Sequence, residues 1–342
     1  MLVDFRTYAC KRNRHFNRGK ITMRGSLKEI ELNMSTLGVL FGKSIFALAP
    51  GNVFWTYFAG GAILVAGLFA ARKEMSVARG QDRIVTLGRL FFAPPLAVFA
   101  AQHFTNTKSV SLLVPSWIPA PFFWTYLVGT ALVAAALSIV VKKQARLAAI
   151  LLAFMLILFV LLLHIPNIVA HPRDVLTWAF AFRDLAFSGG ALALAGTQTD
   201  KWQAQGTSTL IVVARIFVSL AAIFFGVEHF LHPDFLPAVD LDKLTPPWIP
   251  GRALWAYLAG TIFILAGTSL AVNLKPRLAA TCLSIMALTL LLSIYVPMMV
   301  SAPSDIDNGL DYFVSTLAFS GATLFLAAAM PKKTVRKDHT NG

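Results

Sequence analysis

The stretch PSWIPAPFFWTYLVG at residues 115–129 occurs again as PPWIPGRALWAYLAG at residues 246–260. A third, more divergent version, ALAPGNVFWTYFAG, covers residues 47–60. A phrase that returns along a chain predicts an internally repeated architecture. Each version leads from a proline-containing loop into an apolar run. The phrase therefore marks the point where a loop enters a helix, once in each copy of a repeated unit.

The composition predicts that the helices lie in a membrane. Of the 342 residues, 57% are hydrophobic and only 13% are charged, and the mean hydropathy is +0.68. Apolar runs of about 20 residues, the length that crosses a bilayer, recur along most of the chain. We expect an all-α integral membrane protein, with spans at about 53–71, 84–104, 122–141, 147–165, 175–196, 209–230, 253–273, 277–299 and 311–330.

The repeated unit is four spans long. Its landmarks are an arginine and a histidine in the first span, the WIP loop, an R-L-A-A helix and a closing LAFSG helix. They begin at Arg89, His103, Trp117, Arg146 and Leu185 in the first copy, and at Arg215, His229, Trp248, Arg277 and Leu317 in the second. Four crossings return the chain to its starting side, so the copies are parallel repeats. The sequence predicts two parallel four-helix transmembrane bundles plus one extra N-terminal transmembrane helix.

These landmarks divide the chain into segments. We predict a basic N-terminal tail (1–35), the extra helix (36–83), repeat 1 (84–196), a cytoplasmic linker (197–208), repeat 2 (209–330) and a basic cytoplasmic tail (331–342). A single span at 53–71 would put the basic tail outside the cell. Met34 as the true start removes this conflict, and the alternative is that residues 36–50 form a short first leg of a helical hairpin.

The net charge of +14 resides in the tails and in short loops. Lysine and arginine in short loops favour the cytoplasmic side. The loop containing Lys142, Lys143 and Arg146, its counterpart with Lys275 and Arg277, and the C-terminus are therefore predicted to be cytoplasmic. This distribution argues against nucleic-acid binding. The two cysteines form no CxxC motif, so neither a structural disulfide nor dithiol redox chemistry is expected.

Aromatic residues of the repeated phrase are predicted to anchor the helices at headgroup depth, since tryptophan and tyrosine prefer the membrane interface. These residues are Trp117, Trp124, Tyr126, Trp248, Trp255 and Tyr257. The alternative interpretation is that the tryptophans stack on a ligand.

The order of landmarks, from the His-Phe helix end through WIP, W-x-Y and R-L-A-A to LAFSG, resembles the DoxX-like family of small four-helix bacterial membrane proteins. The resemblance covers about 85–196 and again 209–330, as a tandem duplication. Relatives include the DoxD subunit associated with thiosulfate:quinone oxidoreductase. The resemblance implies a bacterial inner-membrane protein that acts as an accessory or quinone-interacting component of a membrane oxidoreductase system, with other subunits as partners. Whether the chain is itself an enzyme stays open.

Ionisable residues at membrane depth are the candidate site, because each is costly there. In repeat 1 they are Arg89, His103, His164, Arg183 and Asp184, and the counterparts in repeat 2 are Arg215, Glu228 and His229. We expect Asp184 to pair with Arg89, and Arg183 with His164 or an external carboxylate, since neighbouring residues on a helix diverge by about 100°. Structural ion pairs, arginines that reach the headgroups and histidines that cap helices are the alternatives.

Two other functions remain open at this point. Arg89, His103 and His164 could line a binding or transport site for a small ligand, or the protein could be a scaffold without chemistry. Histidines and carboxylates at the external ends could bind metal or haem, but their spacing gives this little support. Quinone is the cofactor that the resemblance favours.

Overall fold

The computed structural model describes residues 51–197, 209–237 and 244–331, and within them it is helical apart from loops and a β-bridge between Phe235 and Leu244. The predicted tail over 1–35, the Met34 start and almost all of the linker and C-terminal tail lie outside these residues. The long helices are α1 Gly51–Val77, α2 Gly88–Thr105, α3 Pro121–Val141, α4 Ala145–Ala170, α5 Val175–Thr197, α6 Thr209–Leu231, α7 Arg252–Ala271, α8 Pro276–Ser301 and α9 Asp311–Ala329. Short helices cover Gln81–Val85 and Thr107–Ser111, and a π-helical turn covers Ile306–Leu310.

Eight of these helices, all except α5, are long and apolar enough to cross a membrane. In α5 the adjacent Arg183 and Asp184 lower the mean hydropathy. Large apolar side chains project outward along the other helices, for example Phe69, Leu151 and Leu292, each more than half exposed. Such apolar surface is untenable in water but natural in lipid. The helices thus indicate a multi-pass membrane protein.

Loops predicted to be cytoplasmic meet at one end of the helices. Lys142 forms an ion pair with Glu74 at the end of α1. Arg277, at the start of α8, pairs with Asp82 and donates a hydrogen bond to the Ala327 carbonyl at the end of α9. These contacts join the end of α1 and the segment after it to the predicted cytoplasmic ends of α3, α8 and α9.

The packing does not confirm two separate four-helix bundles. The last helix of repeat 1, α5, packs extensively on α6, the first helix of repeat 2. The last helix of repeat 2, α9, packs extensively on α2, the first helix of repeat 1, and α5 and α9 pack on each other in the centre. The two halves therefore interlock around one continuous apolar core.

Glycines of the LAFSG phrase make this interlocking close. A Cβ on Gly189 would lie 2.9 Å from the Ala214 carbonyl oxygen of α6, and a Cβ on Gly321 would lie 2.6 Å from the Phe92 nitrogen of α2. These are corresponding positions in the two repeats. Small residues at such crossings let backbones approach in a membrane, where packing rather than water drives association.

Other local features also recur in both halves. A π-helical turn, Val160–His164 in α4 and Leu291–Tyr295 in α8, precedes a proline in each repeat. Proline lacks the N–H that would continue the α-helical ladder, which accounts for the wider turn. The turn fixes the directions of His164 and Tyr295.

Helix α1 covers the outer side of repeat 1. Gly60 and Gly67 allow it to approach Val98 and Leu90 of α2. Its Tyr57 hydroxyl donates to the Pro303 carbonyl at 3.0 Å, which ties it to the loop after α8. The extra helix is thereby attached to both repeats.

Candidate functional site

The sharpest polar feature lies inside repeat 1, where α5 faces the π-helical turn of α4. His164 Nε2 is 2.9 Å from Asp184 Oδ2, and Arg183 Nε donates to Asp184 Oδ1 at 3.3 Å. All three side chains are at most 8% exposed. The Arg183 guanidinium also lies 4.8 Å from the centre of the Phe180 ring, a cation–π contact. We call Arg183, Asp184 and His164 the buried triad.

The predicted partners of the triad were wrong in two respects. Arg183 and Asp184 do interact, because the arginine side chain is long enough to offset the divergence of neighbouring Cβ directions. Asp184 pairs with His164 rather than Arg89, since the π-helical turn aims His164 at α5. Arg89 lies instead 3.7 Å from Glu74 of α1, near the end where the predicted cytoplasmic loops meet.

The arginine and histidine of each first helix have mainly structural contacts. Arg215 donates to the Leu270 and Ala271 carbonyls at 2.7 and 3.2 Å, and so caps the end of α7. His103 Nδ1 donates to the Phe99 carbonyl four residues earlier, at 2.8 Å. The contacts of the described residues do not join Arg89, His103 and His164 into one site.

The first helices also carry a polar residue before each histidine. Gln102 of α2 donates to Asp311 of α9 at 2.5 Å, a buried link between the two repeats. Its counterpart Glu228 lies 3.4 Å from His232 Nε2, an ion-pair distance without hydrogen-bond geometry. The corresponding partner position on α5 is Ala179, so repeat 2 lacks this link. Glu228 therefore makes no link to α5 that corresponds to the Gln102–Asp311 bond.

An apolar groove of about 480 Å³ opens between α1, α2 and α3. Its walls include Ala62, Ala101 and Val133, with Trp55 and Phe104 among the lining aromatic residues. The groove exists because small alanine side chains line the place where α1 crosses repeat 1. Its size and apolar walls suit a lipid-like chain. Apart from the alanine content, nothing in the sequence predicted the groove.

Most of the predicted interfacial aromatic residues project away from the core. Trp117, Trp124, Tyr126, Trp248 and Tyr257 are between 41 and 68% exposed, whereas Trp255 packs partly against the core. Trp124 Nε1 also donates to the Pro119 carbonyl at 2.9 Å, which fixes the WIP loop onto the start of α3.

Repeat 2 has neutral residues at the positions of the triad. Arg183, Asp184 and His164 correspond to Ser315, Thr316 and Tyr295, all at most 1% exposed. Their burial could not be anticipated without the packing of α9.

Comparison with known proteins adds one match. A family described as a domain of unknown function (DUF8561) matches residues 92–181. The match covers α3 and α4 with most of α2, and ends within α5 two residues before Arg183. No curated protein and no solved structure matches the chain. Among the described residues no group of three or more histidine, cysteine, aspartate or glutamate side chains is arranged to hold a metal ion.

Proposed function

We propose that this chain is a DoxX-like inner-membrane protein that binds a quinone and serves as an accessory component of a membrane oxidoreductase system. The repeats insert in parallel, as two four-helix units joined through α5 and α9, with the C-terminus in the cytoplasm. Electrons come from a partner subunit, and this chain contributes binding and proton exchange.

The observation that carries the proposal is the buried triad. Ionisable side chains among membrane-crossing helices are costly and commonly mark ligand or proton pathways. The Asp184 carboxylate holds the His164 imidazole by Nε2, which orients the ring. Such a pair can pass a proton to or from a bound molecule. Quinone reduction takes up protons, so this chemistry fits the proposed ligand.

The groove between α1, α2 and α3 supports the same class of ligand. A quinone has a small polar head and a long apolar tail, and apolar walls open to lipid would accept the tail. Ala62 lines the groove but is exposed on α1, so a larger residue there fills the groove without disturbing the core. Ala134 on α3 is also exposed but does not line the groove.

Extraction of the purified protein tests the proposal. We expect quinone to co-purify with the wild-type chain and with Ala134→Phe, and to be depleted at least severalfold in Ala62→Phe. Added decylubiquinone should raise the unfolding temperature of the first two proteins only. If no quinone co-purifies and decylubiquinone stabilises none of the three, the proposed function is wrong. If Ala62→Phe and Ala134→Phe retain equal amounts of quinone, the groove is not the quinone site.

A further inference from the structure

One face of α9 in repeat 2 carries hydroxyl groups that lack hydrogen-bond partners. Tyr312, Ser315, Thr316 and Phe319 are spaced by three, four and seven residues, so they lie on one side of the helix. All four are at most 3% exposed. The Tyr312, Ser315 and Thr316 hydroxyls have no partner in the described part of the protein.

These orphan hydroxyls differ from most hydroxyls in the long helices that the structure describes. Many other hydroxyls in the long helices donate to a carbonyl three or four residues earlier, which is the usual solution in an apolar surrounding. Examples are Thr125, Thr130, Thr261, Thr281 and Thr289. A buried hydroxyl without a partner is costly, so three on one face indicate that something else satisfies them.

His229 contributes a fourth orphan atom to the same interior. Its Nδ1 is bonded to the Phe225 carbonyl, so Nδ1 carries the hydrogen and Nε2 of the neutral ring is an acceptor. Nε2 is buried and finds no partner among the described residues. The imidazole stacks on Phe263 at 5.5 Å, and Phe263 contacts Phe319 on the orphan face at 5.5 Å.

The side chains that contact this face include aromatic residues of α7 and α8. Tyr295 stacks on Tyr312 with 5.7 Å between ring centres, and donates its hydroxyl to the Pro237 carbonyl at 3.2 Å. In repeat 1 the corresponding positions hold the buried triad, whose charged members bond to one another. At this location the polar side chains of repeat 1 bond to one another, whereas the Tyr312, Ser315 and Thr316 hydroxyls of repeat 2 have no partners among the described residues.

We propose that Tyr312, Ser315, Thr316 and His229 bind an uncharged aromatic molecule that carries hydroxyl groups, the chemical class of a quinol headgroup. The side-chain hydroxyls bond the ligand oxygens, a ligand hydroxyl donates to His229 Nε2, and the ring lies among Phe263, Tyr295 and Phe319. An ion is disfavoured, since none of these side chains supplies a counter-charge. The identification of the class as quinol rests on the proposed function, but the site is separate from the triad and the groove.

The test compares two probes on the full chain in detergent. Hydroquinone and 1,4-dimethoxybenzene share a ring and two oxygens, but only hydroquinone donates hydrogen bonds. We expect hydroquinone alone to raise the unfolding temperature in a saturable manner. Thr316→Val and Tyr312→Phe should each weaken hydroquinone binding about tenfold, the equivalent of one lost hydrogen bond.

Ligand-free stability supplies the second readout. Because the orphan hydroxyls are unpaired, Thr316→Val should unfold at the same or a higher temperature than wild type. Thr323→Val is the matched control on α9, since Thr323 is buried but donates to the Ser320 carbonyl, and it should leave hydroquinone binding unchanged.

Three outcomes overturn the inference. The first is that hydroquinone and 1,4-dimethoxybenzene raise the unfolding temperature equally. The second is that Thr316→Val and Tyr312→Phe bind hydroquinone as tightly as wild type. The third is that Thr316→Val without ligand unfolds at a lower temperature than wild type. The last would show that ordered water already satisfies the hydroxyls. None of these outcomes bears on how much quinone co-purifies with Ala62→Phe and Ala134→Phe. The hydroquinone site and the proposed function can therefore be refuted separately.

Discussion

Replacement of Gly321 by alanine tests the close crossing of α9 and α2. The added Cβ would lie 2.6 Å from the Phe92 nitrogen and 2.8 Å from the Phe91 carbonyl carbon, whereas ordinary contacts begin at 3.4 Å. Both obstacles are backbone atoms, so no side-chain rotation relieves the clash. The helices must separate by nearly 1 Å, which also loosens the packing around Phe92.

The expected magnitude follows from two opposing effects. Overpacking of a tight contact costs about 1–3 kcal/mol. Alanine in place of glycine favours a helix by up to about 1 kcal/mol. We therefore expect Gly321→Ala to lower the free energy of unfolding by about 1–2 kcal/mol, although the same change is normally stabilising in a helix.

Gly61→Ala is the matched control. Gly61 lies in α1, and no described atom lies within 4 Å of an added Cβ. It should be neutral or more stable than wild type. Both variants are measured by reversible denaturant unfolding in the same detergent, followed by tryptophan fluorescence. Equal stability of Gly321→Ala and Gly61→Ala would refute the close crossing.

Two further substitutions test the polar contacts. Arg277→Gln should lower the free energy of unfolding by about 2 kcal/mol. The reason is that it removes charged hydrogen bonds that join α8 to α9 and to the segment after α1. The control Arg146→Gln, at the exposed corresponding position of repeat 1, should change this free energy by less than about 0.5 kcal/mol. Similar losses of unfolding free energy for Arg277→Gln and Arg146→Gln would contradict the expectation that only Arg277 makes stabilising contacts. Asp184→Asn should cost about 3 kcal/mol, since the buried Arg183 loses its carboxylate, and Asp174→Asn at the exposed start of α5 should be nearly neutral. A mild effect of Asp184→Asn in the same unfolding assay would show that the triad is not a buried ion pair.

The sequence predicted the helices well because their signal is local. Each predicted span overlaps an observed helix, since twenty apolar residues in a row have few alternatives. The WIP phrase correctly marks helix starts at Pro121 and Arg252. The LAFSG glycines were noted as a landmark, but their partner helices could not be named.

The exchange between the repeats could not be predicted, for a physical reason. Segments of similar sequence offer similar surfaces, so residue patterns alone do not decide which first helix α5 packs against. The partners of the triad residues were predicted wrongly for a related reason. The choice of partner depended on the π-helical turn before Pro166 and on the reach of Arg183, and neither follows from residue spacing.

The orphan hydroxyls of repeat 2 show a further limit. Ser315 and Thr316 resemble ordinary helix hydroxyls in the sequence. Only their burial and the lack of a back-bond distinguish them, and both properties depend on how α9 packs. Charge is conspicuous in an apolar sequence, whereas an unsatisfied neutral group is not.

Disulfide cross-linking tests the interlocked arrangement most directly. The Cβ of a residue at position 88 would lie 3.2 Å from the Leu324 Cβ, and one at position 189 lies 3.2 Å from the Phe217 Cβ. Both separations approach the Cβ distance of a disulfide, about 3.5–4.5 Å. The pairs Gly88→Cys with Leu324→Cys, and Gly189→Cys with Phe217→Cys, each link one repeat to the other.

The measurement uses chains without Cys10 and Cys282 that carry a protease site in the 197–208 linker, oxidised in native membranes and then cleaved. We predict that both pairs hold the two halves together on a non-reducing gel. The within-repeat pair Gly88→Cys with Leu192→Cys should form no disulfide. Cross-linking of position 88 to 192 in place of 324 would show that each repeat closes on itself, and would contradict the interlocked fold.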